Sequence, residues 1–236
     1  MTLRAFAGPE VLVPSGDVVD VVGQGSVLTG DYPKDDLVYD WRQVGGDPVQ
    51  FNFTSTSLTV DTTGATGDVT FLLTVSTADG SAEATDEFTI GVDLDAVVLE
   101  SAVCDPATGH CYARIDTLTW CSEMKAAANN IYYDGMRGHL ATITTPVERS
   151  FLATVARNAP GIIAGTDRFE EGVWVWDDGP EEGRLIEYLP WASENEPSNG
   201  YHWSYPEGED YLSNLARGFD DLNGWRRYYV EFEPGW

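Results

Sequence analysis

The hydrophobic pattern of this chain changes once, near residue 96, and that change limits what it can fold into. Before it, apolar residues alternate with polar ones: Val69, Phe71, Leu73 and Val75; Tyr39 and Trp41; Phe88, Ile90 and Val92. Period-two alternation sets one face of a strand in a core and the other in water. Turn clusters separate the runs, at Pro14-Ser15-Gly16, Val44-Gly45-Gly46-Asp47-Pro48, Thr63-Gly64-Ala65-Thr66-Gly67 and Ala78-Asp79-Gly80. Short strands joined by tight turns predict an all-β sandwich over residues 1–95, with Trp41 as its core aromatic. This stretch holds no His and its carboxylates are scattered, so no chemistry is assigned to it.

Residues 96–236 read differently. Asp93 to Val103 is the junction, and seven of the eight Trp and all three Cys lie beyond it. Helix signals begin here. Trp120 to Ala128 is rich in helix formers. Thr145-Pro146-Val147-Glu148 predicts a second helix, with Thr145 as cap, Pro146 in the first turn and Glu148 reaching back. Val147, Phe151, Leu152 and Val155 would form its buried stripe. After Pro160 the chain is rich in Gly, Trp and Asn, with short strands expected at Gly172–Trp176 and Tyr228–Phe232. The rest must be long loops, and long loops in a compact domain are held by something or carry function. The expectation is an α+β second domain.

Charge excludes several roles. The 236 residues carry 13 basic and 39 acidic side chains, a net −26. Residues 1–95 hold 3 basic and 16 acidic groups and residues 96–236 hold 10 and 23, so each part carries −13. Nucleic acid and anionic membrane surfaces need clustered Lys and Arg and are excluded as partners. No apolar run approaches the roughly 18 residues of a membrane span. A uniform acidic excess with only two Lys suits a solvated surface in salty or calcium-rich surroundings. Residues 1–10 lack a basic stretch followed by an apolar one, so no secretory leader is read there and the sequence is taken as a fragment. One local disulfide and one free thiol are the simplest account of Cys104, Cys111 and Cys121.

Acidic and amide side chains crowd the late loops: Asp167, Glu170 and Glu171; Glu194, Asn195, Glu196, Ser198 and Asn199; Glu207, Glu209 and Asp210; Asp220, Asp221 and Asn223. Hard oxygen donors without His or Cys suit Ca2+, which takes about 6–8 oxygens. Crowded carboxylates repel, and a bound dication removes that cost.

The first part resembles the polycystic-kidney-disease (PKD) repeat, an immunoglobulin-like sandwich. The resemblance rests on Ala7-Gly8-Pro9, Tyr39-Asp40-Trp41-Arg42-Gln43-Val44-Gly45-Gly46, Thr70-Phe71-Leu72-Leu73-Thr74-Val75, Asp79-Gly80 and Phe88-Thr89-Ile90. Such modules usually act as spacers. Residues 104–233 resemble the C-type lectin domain of bacterial-adhesin type. The matching stretches are Cys111-Tyr112, Gly138-His139-Leu140-Ala141-Thr142-Ile143, Ile163-Ala164-Gly165-Thr166-Asp167 and Glu171-Gly172-Val173-Trp174-Val175-Trp176. Pro190-Trp191, Glu196-Pro197-Ser198, Gly208-Glu209-Asp210, Gly218-Phe219-Asp220-Asp221 and Tyr229-Val230-Glu231-Phe232-Glu233 follow in the same order.

This resemblance implies one calcium held by Glu196, Ser198, Glu209, Asp220 and Asp221, with two neighbouring hydroxyls of a fucose-, mannose- or galactose-type glycan completing its coordination. A second, structural calcium would use Asp167 and Glu171 with Asn199, Glu209 and Asp210. The aromatics of the long loop from Gly200 to Pro206, Trp203 foremost, would either stack on a sugar face or pack the loop onto the domain. Cys104 and Cys111 would close a short hairpin. The implied role is a secreted or surface-anchored adhesin module without turnover, flanked by further domains. A lectin-fold domain that binds protein, with calcium only structural, is the rival reading.

This chain also departs from the pattern. Tyr211 stands where a Cys would follow Glu-Asp, and the usual core cysteines are missing. Ser198 replaces an Asn, which leaves sugar preference open, with Asn199 as the residue that could shift into the sugar-binding role, and Asp220 replaces another Asn, which adds charge. No Gly-x-Ser-x-Gly, His-Glu-x-x-His or phosphate loop is present. His110, His139 and His202 read as isolated.

Overall fold

The computed structural model describes residues 1–200 and 208–236. The chain divides into two compact units, Met1–Ala96 and Val97–Trp236.

The first unit is built of strands with one 3-10 turn at Lys34–Asp36: β1 (Thr2–Phe6), β2 (Val11–Pro14), β3 (Val18–Val22), β4 (Gln24–Thr29), β5 (Val38–Gly45), β6 (Gln50–Thr54), β7 (Ser57–Asp61), β8 (Val69–Ser76) and β9 (Glu83–Asp93). They form a four-stranded sheet β2-β9-β8-β5, a three-stranded sheet β3-β7-β6 and a pair β1-β4. The alternation in β8 is complete: Val69, Phe71, Leu73 and Val75 are fully buried and their neighbours half-buried. β2 joins β9 in parallel, Val11 opposite Ile90, while the other pairings are antiparallel. Trp41, Leu58, Val60, Phe88 and Ile90 complete the core, and Phe51 meets Phe71 edge-on at 5.1 Å. Gly46 is required by its turn. Its φ is +79°, and a Cβ there would fall 2.2 Å from the carbonyl oxygen of Asp68.

The second unit contains β10 (Val97–Val98), β11 (Val103–Cys104), β12 (Cys111–Trp120), α1 (Met124–Ala128), β13 (Ile131–Tyr133), β14 (Met136–Leu140), α2 (Pro146–Val155), β15 (Gly161–Thr166), β16 (Val175–Trp176), β17 (Tyr211–Leu215), β18 (Gly218–Leu222) and β19 (Trp225–Phe232). β19 is the hub. It pairs antiparallel with β12 and β14, and in parallel with β15 through Ile162 and Tyr228. β15 continues to β17 and β18. The core gathers Met124, Leu152, Trp174, Trp176, Phe219, Tyr229 and Phe232, with Trp191 packed against it. Cys104 and Cys111 are bonded across the β11–β12 hairpin.

Four local expectations are corrected. The first helix starts later, because Trp120 ends β12 opposite Trp225 and stacks edge-on with it at 5.7 Å. A 3-10 turn at Cys121–Glu123 then leads into α1. Val147 is 75% exposed, so the apolar stripe of α2 is Phe151, Leu152 and Val155. Thr145 does cap α2, accepting from the Glu148 N–H at 3.2 Å. The returning Glu148 carboxylate, however, takes the N–H of Thr144, 2.7 Å away, because its other oxygen is held by the Tyr112 hydroxyl. The late strands are also redistributed. β16 is only two residues long, whereas β19 begins three residues before Tyr228.

Cys121 is the free thiol, buried in the second core, and burial pushes its pKa up to about 12. Thiolates are the reactive form. A disulfide-exchange reagent is therefore expected to leave the native chain unmodified and to titrate one thiol after denaturation. Rapid labelling of the native protein would contradict this burial.

Candidate functional site

β18 carries the centre of the site. Within it Asp220 pairs with Ser213 and Asp221 with Leu212 of β17. Successive strand residues point to opposite faces, yet both carboxylates are used by the loop that arrives from β16. The Asp221 carboxylate is 1% exposed and accepts the N–H groups of Ser198 at 2.8 Å and Asn199 at 2.5 Å. One side chain thus seats that loop on the sheet. Glu196, just before it, contributes an oxygen within 4.8 Å of oxygens from Asp220 and Asp221. Its Oε1 lies 3.4 Å from the Ser193 hydroxyl, which donates to it, while its Oε2 is buried without a hydrogen-bond partner.

Glu209 joins this triad indirectly. Its Oε2 accepts from the Ser198 hydroxyl at 3.3 Å and from the Gly200 N–H at 2.8 Å. Asn199, with φ +45°, links the group to a second set of acids. Its Nδ2 donates to Glu171 at 2.6 Å, and its Oδ1 accepts from the Glu209 N–H at 3.1 Å. Asp167 lies at the end of β15, 3% exposed. One of its oxygens accepts the Gly172 N–H at 3.0 Å, and the other is buried without a partner. Its N–H bonds the Asp210 carbonyl.

Glu196, Asp220 and Asp221 therefore meet closely, with Ser198 and Glu209 attached. Asp167, Glu171 and Asp210 do not reach the spacing of that triad among the described residues. Trp203 lies outside the described residues, as do the other residues of 201–207.

The electrostatics of both acid sets are strained. Burial, then the charges of Glu196, Asp221 and Glu209, push Asp220 up to about 6. Burial likewise takes Asp167 to about 6, opposed by the Gly172 N–H and reinforced by Glu171 and Asp210. Two buried, unpartnered carboxylate oxygens are costly unless a cation meets them. The donor set is all oxygen and sits partly on loops, which fits a hard dication such as Ca2+.

A pH dependence follows from these shifts. A carboxyl whose folded pKa is raised binds more protons in the native state between about 4 and 6, so stability falls as pH rises through that range. His110 and His139 are also raised. The Glu231 hydrogen bond dominates for His110; for His139, burial opposes protonation but Glu233 and Glu231 outweigh it. Their contribution is lost as pH rises through the folded histidine values. The metal-free second unit is thus expected to melt at progressively lower temperature from pH 4 to 8, and calcium to reverse the trend by needing ionised ligands. A flat metal-free profile in calorimetry would contradict these environments.

His110 and His139 are a correction to the sequence reading, because they are not isolated; His202 lies outside the described residues. His110 Nδ1 lies 2.8 Å from Glu231, and His139 Nε2 lies 3.0 Å from Glu233. Glu231, fully buried, also accepts from the Tyr112 hydroxyl at 2.8 Å and the Thr142 N–H at 3.0 Å. The available signal was two acids two residues apart in an otherwise apolar strand, Tyr229-Val230-Glu231-Phe232-Glu233, facing one side.

No family model matches the chain. Among curated proteins it is similar to Halomucin of Haloquadratum walsbyi, 29% identical over 202 residues, which is 77% of this chain and 2% of that protein. The chain thus spans about 2% of the length of this relative. Among solved structures it is similar to the cow C-type carbohydrate-recognition domain of CD23, determined in the presence of a GlcNAc2Man3 oligosaccharide. The identity is 20% and the TM-score 0.42, covering 58% of this chain and 100% of that one. The PKD domain of human KIAA0319 is a further neighbour, at 14% identity and TM-score 0.28, covering 39% and 82%.

Proposed function

We propose that the second unit is a calcium-dependent glycan-binding module and the first a spacer, both parts of a secreted or surface-displayed adhesin. The observation that carries this reading is the meeting of Glu196, Asp220 and Asp221, with a buried Glu196 oxygen that has no partner. Glu196, Ser198, Glu209, Asp220 and Asp221 would hold the ion, and Asp167, Glu171, Asn199 and Asp210 would serve a second, structural one. Bound calcium supplies an electrophilic centre to which two neighbouring sugar hydroxyls can coordinate. The carboxylates would accept hydrogen bonds from those hydroxyls, and Asp221 keeps the loop in register. Single-site affinity of this kind is weak, so repeated presentation along a long chain would supply avidity. The Cys104–Cys111 disulfide supports an oxidising, extracellular setting.

The protein-binding alternative draws on Ser198, whose hydroxyl is directed at Glu209 and Asp221 and brings no amide to a sugar. A glycan array with and without chelator separates the two. Calcium-dependent retention of fucose-, mannose- or galactose-terminated glycans is expected. An array blank in both conditions, with calcium still raising the melting temperature, would favour the alternative.

A further inference from the structure

The site has a charge balance that sets what kind of glycan it can accept. Glu196, Glu209, Asp220 and Asp221 bring four negative charges to one loop cluster, and a single dication leaves two uncompensated. No Lys or Arg pairs with these four among the described residues. In the sequence no Lys or Arg occurs between Arg184 and Arg217, the stretch that holds Glu196, Ser198 and Glu209.

Among the described residues, the loop donors that face these carboxylates are turned onto them. The Ser198 and Asn199 N–H groups go to Asp221, and the Gly200 N–H goes to Glu209. The Ser198 hydroxyl points to Glu209, the Ser193 hydroxyl to Glu196 and the Asn199 amide to Glu171. The unmet groups are acceptors. Glu196 Oε2 is buried without a partner, as is Oδ1 of Asp167, a residue 3% exposed and four positions before Glu171. Among the described residues an anionic ligand would meet carboxylates and no cation beyond the metal, whereas hydroxyl and ammonium groups would meet hydrogen-bond acceptors.

We infer that this site selects glycans by charge, admitting neutral and amino sugars and turning away uronates and sulfated sugars. The inference rests on the lectin reading above and narrows it. Two excess charges acting on one ligand charge at about 8 Å in water amount to roughly a fivefold change in affinity in either direction. Salt screens this, because the Debye length is about 3 Å at 1 M.

The test is calorimetric titration of the calcium-loaded full chain with three methyl mannosides: the parent, its 6-amino-6-deoxy derivative and the 6-uronate, followed by the same galactoside series. At low ionic strength the expected order is amino tighter than neutral by about fivefold and uronate weaker by about fivefold, the spread collapsing in 1 M salt. A second readout uses no sugar. In the calcium-loaded chain, tryptophan-sensitised terbium luminescence should show Tb3+ displacing Ca2+ strongly, and Asp220→Asn should reduce that preference several-fold. Uronate binding equal to or tighter than the parent would overturn charge selection and leave the lectin reading standing. Failure of all six sugars to bind would overturn charge selection and, with it, the mannose- and galactose-type lectin reading, and a Tb3+ preference unmoved by Asp220→Asn would remove the charge excess itself.

Discussion

Asp221→Ala is expected to abolish glycan binding while leaving the first unit folded. Asp221 has two duties that fall on one carboxylate. It seats the loop by accepting the Ser198 and Asn199 N–H groups, and it offers an oxygen within reach of Glu196 and Asp220. Removing groups that merely orient a metal ligand costs about 10–100-fold in affinity, so losing a ligand together with the loop seat should exceed about a hundredfold. Ser198 and Asn199 are exposed, so water can satisfy the freed N–H groups and the fold should survive. Asp221→Asn keeps the volume but removes the charge and one of the two loop bonds, because an amide nitrogen cannot accept an N–H, so it too should weaken binding. Unchanged calcium-dependent glycan binding by the alanine variant would sink the site assignment.

The second large effect belongs to the spacer. Trp41 is 2% exposed, at the centre of the first core, and its ring lies so close to Gly23 that a Cβ there would fall 2.7 Å from it. Its indole N–H is buried without a partner, so the side chain contributes by packing alone. Trp41→Ala should cost about 3–5 kcal/mol. In a unit of this size that lowers the melting temperature of the first transition by more than about 10 °C. Scanning calorimetry should show that transition moving and the calcium-responsive one staying. A shift of less than about 3 °C would mean that Trp41 is not the keystone of the sandwich.

Much of the first unit is legible in the sequence, because strand alternation is a local signal. Val69 to Val75 and the Tyr39–Trp41 pair face inward as their spacing requires. The second unit is legible in order more than in extent. Trp120 sits in a helix-forming stretch, yet it is claimed by the ladder to Trp225, over a hundred residues away, and no local propensity encodes that pairing. Val147 fits a helical stripe by spacing but ends outside, because the first turn of α2 lies beyond the packed surface.

The candidate site divides in the same way. Asp220 and Asp221 are adjacent in sequence, and Glu196 precedes a proline in a recognisable loop, so their grouping can be read from order along the chain. That Asp221 would hold the loop by two backbone N–H groups cannot, since such a bond depends on the loop's path and not on its residues. The network linking His110, Glu231, Glu233 and His139 is hidden for a similar reason. Its members lie on β14, β19 and the turn before β12, and only the sheet brings them together.

The most direct test of the account is a calorimetric titration of the chelator-treated chain, first with calcium and then with fucose, mannose and galactose. Saturable calcium heat, followed by sugar heat that vanishes when the chelator is restored, is the predicted result. No calcium heat at millimolar concentration would contradict the claim that these carboxylates are assembled to hold a cation.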